Sequence, residues 1–402
     1  MERIFCITLL SSWLFLACNS VQVQSGTLDV TQFGAKADAN TDISQALLDA
    51  WKQACNSTTP ATIVIPKGTF ALKQVKLEGP CHAPIEIQVQ GTLKAPVDHS
   101  QLIKGSEWVT VNNVNQLTIS GGGTFDGQGA KAWTQNDCRV KSDCSKLPNN
   151  LSFNNVNNTI VRDVTSLNSK LFHVNLMGCT NFTFSHFTIT APGDSPNTDG
   201  IHLGHSTGII ITDSNIGTGD DCISIGDGVK QVNITKVTCG PGHGISVGSL
   251  GKYENELPVA GIFVSDCTIS NTLNGVRVKS WPAAAAGDVS DMHFEGIIMQ
   301  NVSNPVLIDQ EYCPNNQCKL DSPSKVKISN VSFKNITGTS ATPVAVSLVC
   351  SKSIPCNGVV IGDIDLAYNG NHGNISTNCA NVRPTLVGKQ NPPVCANPAQ
   401  SS

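Results

Sequence analysis

From about Ile63 onward, apolar and polar residues alternate in runs of four to six, and Gly, Asn, Asp and Pro interrupt the runs. Alternation with a period of two puts one face of a strand in a core and the other toward solvent. One stretch departs from it. Over residues 42–55, Ile43, Ala46, Leu47, Ala50, Trp51 and Ala54 recur at helical spacing, and Asp42 with Gln45 three residues on resembles a helix cap. The pattern predicts one helix near the N-terminus and short strands thereafter.

The strand runs repeat. Units open at Gln116, Asn158, Asn181, Gly208, Gln231, Gly261, Asp291, Lys325 and Gly358, spaced from Asn158 onward by roughly 22 to 34 residues with no helical pattern between them. This spacing predicts an all-β solenoid, a parallel β-helix, in which the helix at 42–55 covers the open N-terminal end of the core. A β-sandwich or a propeller is the alternative.

Three segments align without gaps at a spacing of 22: Asp199-Gly-Ile-His-Leu-Gly204, Asp221-Cys-Ile-Ser-Ile-Gly226 and His243-Gly-Ile-Ser-Val-Gly248. Stacked as neighbouring rungs about 4.8 Å apart, they put Ile201, Ile223 and Ile245 in one inward column and Leu203, Ile225 and Val247 in another. Gly275-Val-Arg-Val-Lys279 joins after a longer loop, with Val276 and Val278 inward and Arg277 and Lys279 outward. Asp199, Asp221 and His243 then share one column at the turns entering the strands, and Asp220 lies beside it.

Three carboxylates in one patch cannot all ionise comfortably, so one should hold its proton while another stays charged. That pairing is what glycoside hydrolysis needs: an acid for the leaving oxygen and a base or nucleophile for the other face. Position alone does not choose among the three. Arg277 and Lys279 on the same face suit an anionic ligand, Arg277 through two parallel hydrogen bonds. Gly244-Ile-Ser-Val-Gly248 formally matches the serine-hydrolase G-x-S-x-G, but that motif needs a strand-to-helix turn, and Ser246 falls mid-strand in the column of His202, Ser224 and Arg277.

Composition supports this picture and bounds the partners. Only 14% of residues are charged and 5% aromatic, with 35 Gly, which suits short strands and tight turns. A net charge of −4 gives no sign of a nucleic-acid partner, so a polyanionic substrate would have to be held by local cations. Met1, Glu2 and Arg3 precede an apolar run from Ile4 to Ala17, too short to span a bilayer, and read as a signal peptide over residues 1–20. The remainder, 21–402, is expected to be one secreted, extracellular domain with no membrane attachment. Cleavage near Ser20 removes Cys6 and Cys18 and leaves 14 of 16 cysteines, enough for seven disulfides in an oxidising compartment. No C-x-x-C pair suggests a zinc site. Of the N-x-S/T sequons at Asn56, Asn150, Asn157, Asn181, Asn233, Asn301, Asn330, Asn335 and Asn374, fewer than half are expected to carry sugar, because Asn before an alternating run is also an ordinary turn into a strand.

Four motifs occur in order, Asn197-Thr-Asp199, Gly219-Asp-Asp221, Gly242-His-Gly244 and Arg277-Val-Lys279, and with them the chain resembles glycoside hydrolase family 28, the polygalacturonases. The last departs from the family's usual pattern, which has Ile between the two cations. The resemblance covers nearly the whole mature chain. It implies a right-handed parallel β-helix that hydrolyses α-1,4-galacturonosyl bonds of pectin's homogalacturonan with inversion, as a cell-wall enzyme acting as a monomer, with neither cofactor nor metal. It further implies Asp220 as general acid, Asp199 with Asp221 activating the water, and His243 supporting the acid. Arg277, Lys279 and Tyr312 would contact the substrate, Asn197 would orient groups in the cleft, and Cys222 would pair with Cys239. Compact length and a Cys-rich C-terminal part resemble the plant pollen-type members, which are often exo-acting. Two rivals stand beside this reading: a calcium-dependent pectate lyase, and a wall-binding β-helix without activity.

Overall fold

The computed structural model describes residues 26–103, 107–135, 147–314, 318, 321–371 and 373–395. The segment read as a signal peptide lies outside the described residues. Every strand pairing within them is parallel, and the strands form one 22-stranded and one 11-stranded sheet. Each rung gives the larger sheet a longer and a shorter strand, such as Asn157–Arg162 and Thr165–Leu167, before the chain crosses to the smaller sheet. The chain winds as a parallel β-helix.

The register read from the sequence is the one observed. Ile201 pairs with Ile223, Ile223 with Ile245 and Ile245 with Val276, while Leu203, Ile225, Val247 and Val278 form the second column. All eight are at most 1% exposed. Burying each such side chain contributes about 1.5–3 kcal/mol, and the columns leave only the alternate residues free to face outward.

Sharp corners come from residues in the left-handed region. Gln116, Asn158, Asn181, Gly208, Gln231, Gly261, Asp291 and Gly358 have φ between 51° and 73°, so eight of the nine positions that open the sequence units are αL corners. Asn, Asp and Gly tolerate this conformation best. Asn side chains also brace successive corners, with Asn181 Nδ2 donating to Asn158 Oδ1 at 2.7 Å and Asn158 Nδ2 to Asn115 Oδ1 at 2.7 Å.

The N-terminal helix α1 spans Ser44–Asn56 and buries Ala46, Leu47, Ala50, Trp51, Ala54 and Cys55 against the first strands. Its start differs from the expected cap. Asp42 Oδ1 accepts from Ser44 N, but Gln45 Nε2 reaches forward to Asp49 Oδ1 at 2.9 Å, one helical turn on, instead of back to residue 42.

Seven disulfides are too many. Cys179 and Cys267 are unpaired and buried in the core, where burial pushes both thiols up to about 11. The described bonds are Cys55–Cys81, Cys222–Cys239, Cys313–Cys318, Cys350–Cys356 and Cys379–Cys395. Cys138 and Cys144 lie outside the described residues. One sequon is also structurally closed: Asn150 is 2% exposed, and its Nδ2 donates to Ser166 Oγ at 3.0 Å.

Candidate active site

The smaller sheet forms the floor of the site, and the turns entering its strands form one wall. Thr198 ties two of those turns together, because Gly219 N donates to its Oγ1 at 2.9 Å. The approach is so close that a Cβ on Gly219 would meet Ser195 O at 1.9 Å, which is why the motif starts with glycine. The next turn is linked by its backbone, His243 N donating to Asp220 O at 2.8 Å. Below them, Cys222 and Cys239 close one rung covalently.

Asp220 is the most open of the three aspartates. Its Oδ1 lies 3.0 Å from His243 Nδ1 and accepts from Asp221 N at 2.8 Å. Asp221 is buried in a cage of donors: Lys279 Nζ reaches Oδ2 at 2.8 Å, while Arg277 Nη2 at 2.9 Å and Ser246 Oγ at 2.8 Å reach Oδ1. Arg277 Nε in turn donates to Ser246 Oγ at 3.0 Å. With its proton on the Asp221 carboxylate and its lone pair on the Arg277 guanidinium, Ser246 links two charged side chains mid-strand, away from any strand-to-helix turn.

The electrostatics separate the buried pair. Burial pushes Asp199 well above the ordinary carboxylate range, and the charges of Asp220 and Asp221 add to this, outweighing a hydrogen bond from Ser224. Burial acts on Asp221 in the same sense, but Lys279 and Arg277 overcome it and hold that carboxyl below the usual range. Of the two, Asp199 is the carboxyl that favours its proton and Asp221 the one that favours its charge. Sequence spacing predicts such a split without choosing its members.

Arg277 and Lys279 do not stand free on an exposed face. They are 7% and 6% exposed and spend hydrogen bonds on Asp221. Tyr312 roofs both, with its ring centroid 5.7 Å from Arg277 Cζ and 5.0 Å from Lys279 Nζ. Asn197 is half-buried in an αL conformation, two residues before Asp199. Asp220, Asp221 and His243 each offer a ligand atom, all within 4.8 Å of one another. A divalent cation there would face Arg277 and Lys279, which already neutralise Asp221, so the donor set suits a metal poorly.

Residues 55–391 match the model of glycosyl hydrolases family 28. The chain belongs to glycosyl hydrolase family 28. It is 59% identical over 389 residues to a polygalacturonase of Nicotiana tabacum, covering 97% of this chain and 96% of that one. It is 56% identical over 359 residues to an exopolygalacturonase of Oenothera organensis, covering 89% and 99%. Among solved structures, a hyperthermoactive exopolygalacturonase from Thermotoga maritima superposes with a TM-score of 0.77 at 18% identity, covering 91% and 92%. A polygalacturonase from Erwinia carotovora superposes at 0.72 with 24% identity, covering 90% and 96%. The fold shared with these structures is the right-handed parallel β-helix.

Within this family 28 chain, the motif residues Asp199, Asp220, Asp221, His243, Arg277, Lys279 and Tyr312 form one contiguous cluster, while Asn197 adjoins it only through the chain, two residues before Asp199. The family's usual Ile is replaced by Val278, which is 1% exposed in the core, so the exchange leaves the cleft untouched. Sequence reasoning missed several neighbours. Ser224 bonds Asp199 and its Oγ lies 2.8 Å from His202 Nδ1, while Phe172 lies 5.2 Å from the His202 ring. Ser224 and His202 already share the outward column, a signal that could have marked them. Trp281 and Lys252 sit in loops outside any repeat, where spacing carries no signal.

Proposed function

We propose that this family 28 polygalacturonase hydrolyses α-1,4-galacturonosyl bonds of polygalacturonate with inversion, releasing galacturonate from the non-reducing end. The observation that carries the reading is Asp199 and Asp221 buried side by side, Asp221 caged by Arg277, Lys279 and Ser246, beside a more open Asp220 bonded to His243.

In this reading Asp220 gives its proton to the leaving oxygen, while Asp199 and Asp221 accept from the attacking water. Burial and the neighbouring aspartates favour the proton on Asp199, so the division of labour requires a shift on binding. A water beside Asp199 solvates that carboxyl and favours its ionised form. His243, with Nδ1 3.0 Å from Asp220 Oδ1, positions the acid. Arg277 and Lys279 hold Asp221 ionised and turn their remaining donors to the substrate carboxylate under Tyr312. Asn197 orients groups beside Asp199.

The exo mode draws support from relatives named exopolygalacturonase and from a braced shoulder on the N-terminal side of Asp199. The chain entering Leu151–Asn154, two rungs before Asp199, is described over 127–135 and 147–150. Its short helix, Ala130–Gln135, is tied down by Lys131 Nζ to Asp98 Oδ2 at 2.7 Å and by Trp133 Nε1 to Ser169 O at 2.9 Å. Lys170, 2% exposed, bonds Gly127 O.

Residues 1–20 act as a leader for secretion in this proposal, 21–402 form the single catalytic domain, and the enzyme works as a monomer on the cell wall, in pollen as for the resembled members. Among the described residues no helix is long and apolar enough to cross a membrane. Product sizing on polygalacturonate tests the reading. Galacturonate monomer is expected from the first time point; mixed oligomers mean endo action, and unsaturated products that vanish with a chelator mean a lyase.

A further inference from the structure

Resting on the secretion of the chain proposed above, we infer that Asn233 carries an N-linked glycan whose first sugar packs against Ile210 and Phe263 and covers an apolar column on the larger sheet.

The column follows from strand register. Alternation sends every second residue of the larger sheet outward, and parallel pairing stacks Ile160, Thr183, Ile210, Asn233, Phe263 and His293 on successive rungs. Ile160, Ile210 and Phe263 are 42%, 41% and 46% exposed. A row of exposed apolar groups on one flat face favours self-association unless something covers it. Phe263 is held ready for such a cover. Its ring stacks on that of His293 at 5.1 Å, and His293 is fixed through both nitrogens, with Nδ1 2.7 Å from Ser332 Oγ and Nε2 3.0 Å from Asp291 Oδ1. With one face on His293, the ring turns its other face toward the rung of Asn233. The cleft is floored by the smaller sheet, so a cover on the larger one leaves it open.

The means of covering is written into the same column. Asn233-Ile-Thr235 is an N-x-S/T sequon, and its Asn stands between two of the exposed apolar groups. The Asn233 side chain is exposed and makes no hydrogen bond among the described residues. Asn181, Asn301 and Asn330 differ: each sits at an αL corner and spends its amide on a neighbour, Asn158, Asn271 and Asp291 respectively. Transfer joins Asn233 Nδ2 to the anomeric carbon of a lipid-diphosphate-linked oligosaccharide. The bond from that carbon to the diphosphate oxygen breaks, the lipid diphosphate leaves, and the amide gives up one proton. Rungs about 4.8 Å apart bring both Ile210 and Phe263 within reach of the attached N-acetylhexosamine. Its C–H face suits the Phe263 ring, and its hydroxyls keep the outer surface wet.

The full chain, collected from the medium of plant cells that secrete it, provides the test. Peptide N-glycosidase A turns a sugar-bearing Asn into Asp, so mass spectrometry of the released peptides reads occupancy at each sequon. Asn233 is expected to be occupied in most molecules and the buried Asn150 to be bare. Asn233→Gln is expected to leave kcat/KM on polygalacturonate unchanged while its gel-filtration peak shifts to larger species, and adding Phe263→Ser is expected to reverse the shift. Enzymatic removal of the sugar from the folded native protein should give the same shift. A bare Asn233 in the secreted chain overturns the inference, as does a sugar-free protein that elutes like the native one. Retention of the native chain inside the cells overturns the secretion reading, and the inference with it.

Discussion

Lys279 Nζ donates to Asp221 Oδ2 at 2.8 Å, with both side chains at most 8% exposed. Two buried charges this close offset one another's desolvation, and removing one leaves the other uncompensated. Lys279→Met is therefore expected to lower unfolding free energy by about 3 kcal/mol and the rate at least about a hundredfold. Chemical denaturation and initial rates check both, and native-like values would show that Arg277 alone keeps Asp221 ionised.

Asp220 touches His243 and accepts from the following amide, and an asparagine keeps the oxygen that makes both contacts. Asp220→Asn should keep the fold and lose the acid, with a fall in reducing-sugar release of about a thousandfold or more. Full activity in a folded variant would remove Asp220 from the acid's role.

Asp199 must ionise to accept from water, and its carboxyl is raised by burial and by the neighbouring aspartates. Activity should rise with pH as that proton leaves, at pH values above the ordinary carboxylate range. Ser224 hydrogen-bonds the ionised form and lowers the value, so Ser224→Ala should move the ascending limb of the kcat/KM profile to higher pH. A limb that stays in place would mean another group controls it. The cluster's need for a retained proton predicts an optimum on the acidic side of neutrality.

His173 is fully buried against Ser166, and burial depresses it from 6.5 to about 3. The unfolded chain takes up this proton first, so stability should fall as pH drops from 6.5 toward 3, by about 1.4 kcal/mol per pH unit from this one group. Urea unfolding at pH 6.5 and 4.5 should show a smaller pH slope in His173→Gln than in the native protein. An identical slope would place the acid sensitivity elsewhere, for example in His202, which burial holds at about 4.

The alternating pattern and the 22-residue spacing determined the rungs, their register and the outward column of the cleft, because strand geometry leaves a side chain only two directions and stacking brings equal positions together. The left-handed corners were written in the same way, as Asn, Gly, Asp and Gln at unit boundaries. Other outcomes depended on reach and solvent exclusion, which a repeat does not encode. Cys179 and Cys267 satisfy the even cysteine count but point into the core with no sulfur opposite. Arg277 and Lys279 share a face with the carboxylates in any stacked reading, yet only the folded structure turned them onto Asp221 and left Asp199 buried without an ion pair among the described residues. Lys252 and Trp281 come from turns of irregular length, so their meeting was set by how three loops pack over one wall.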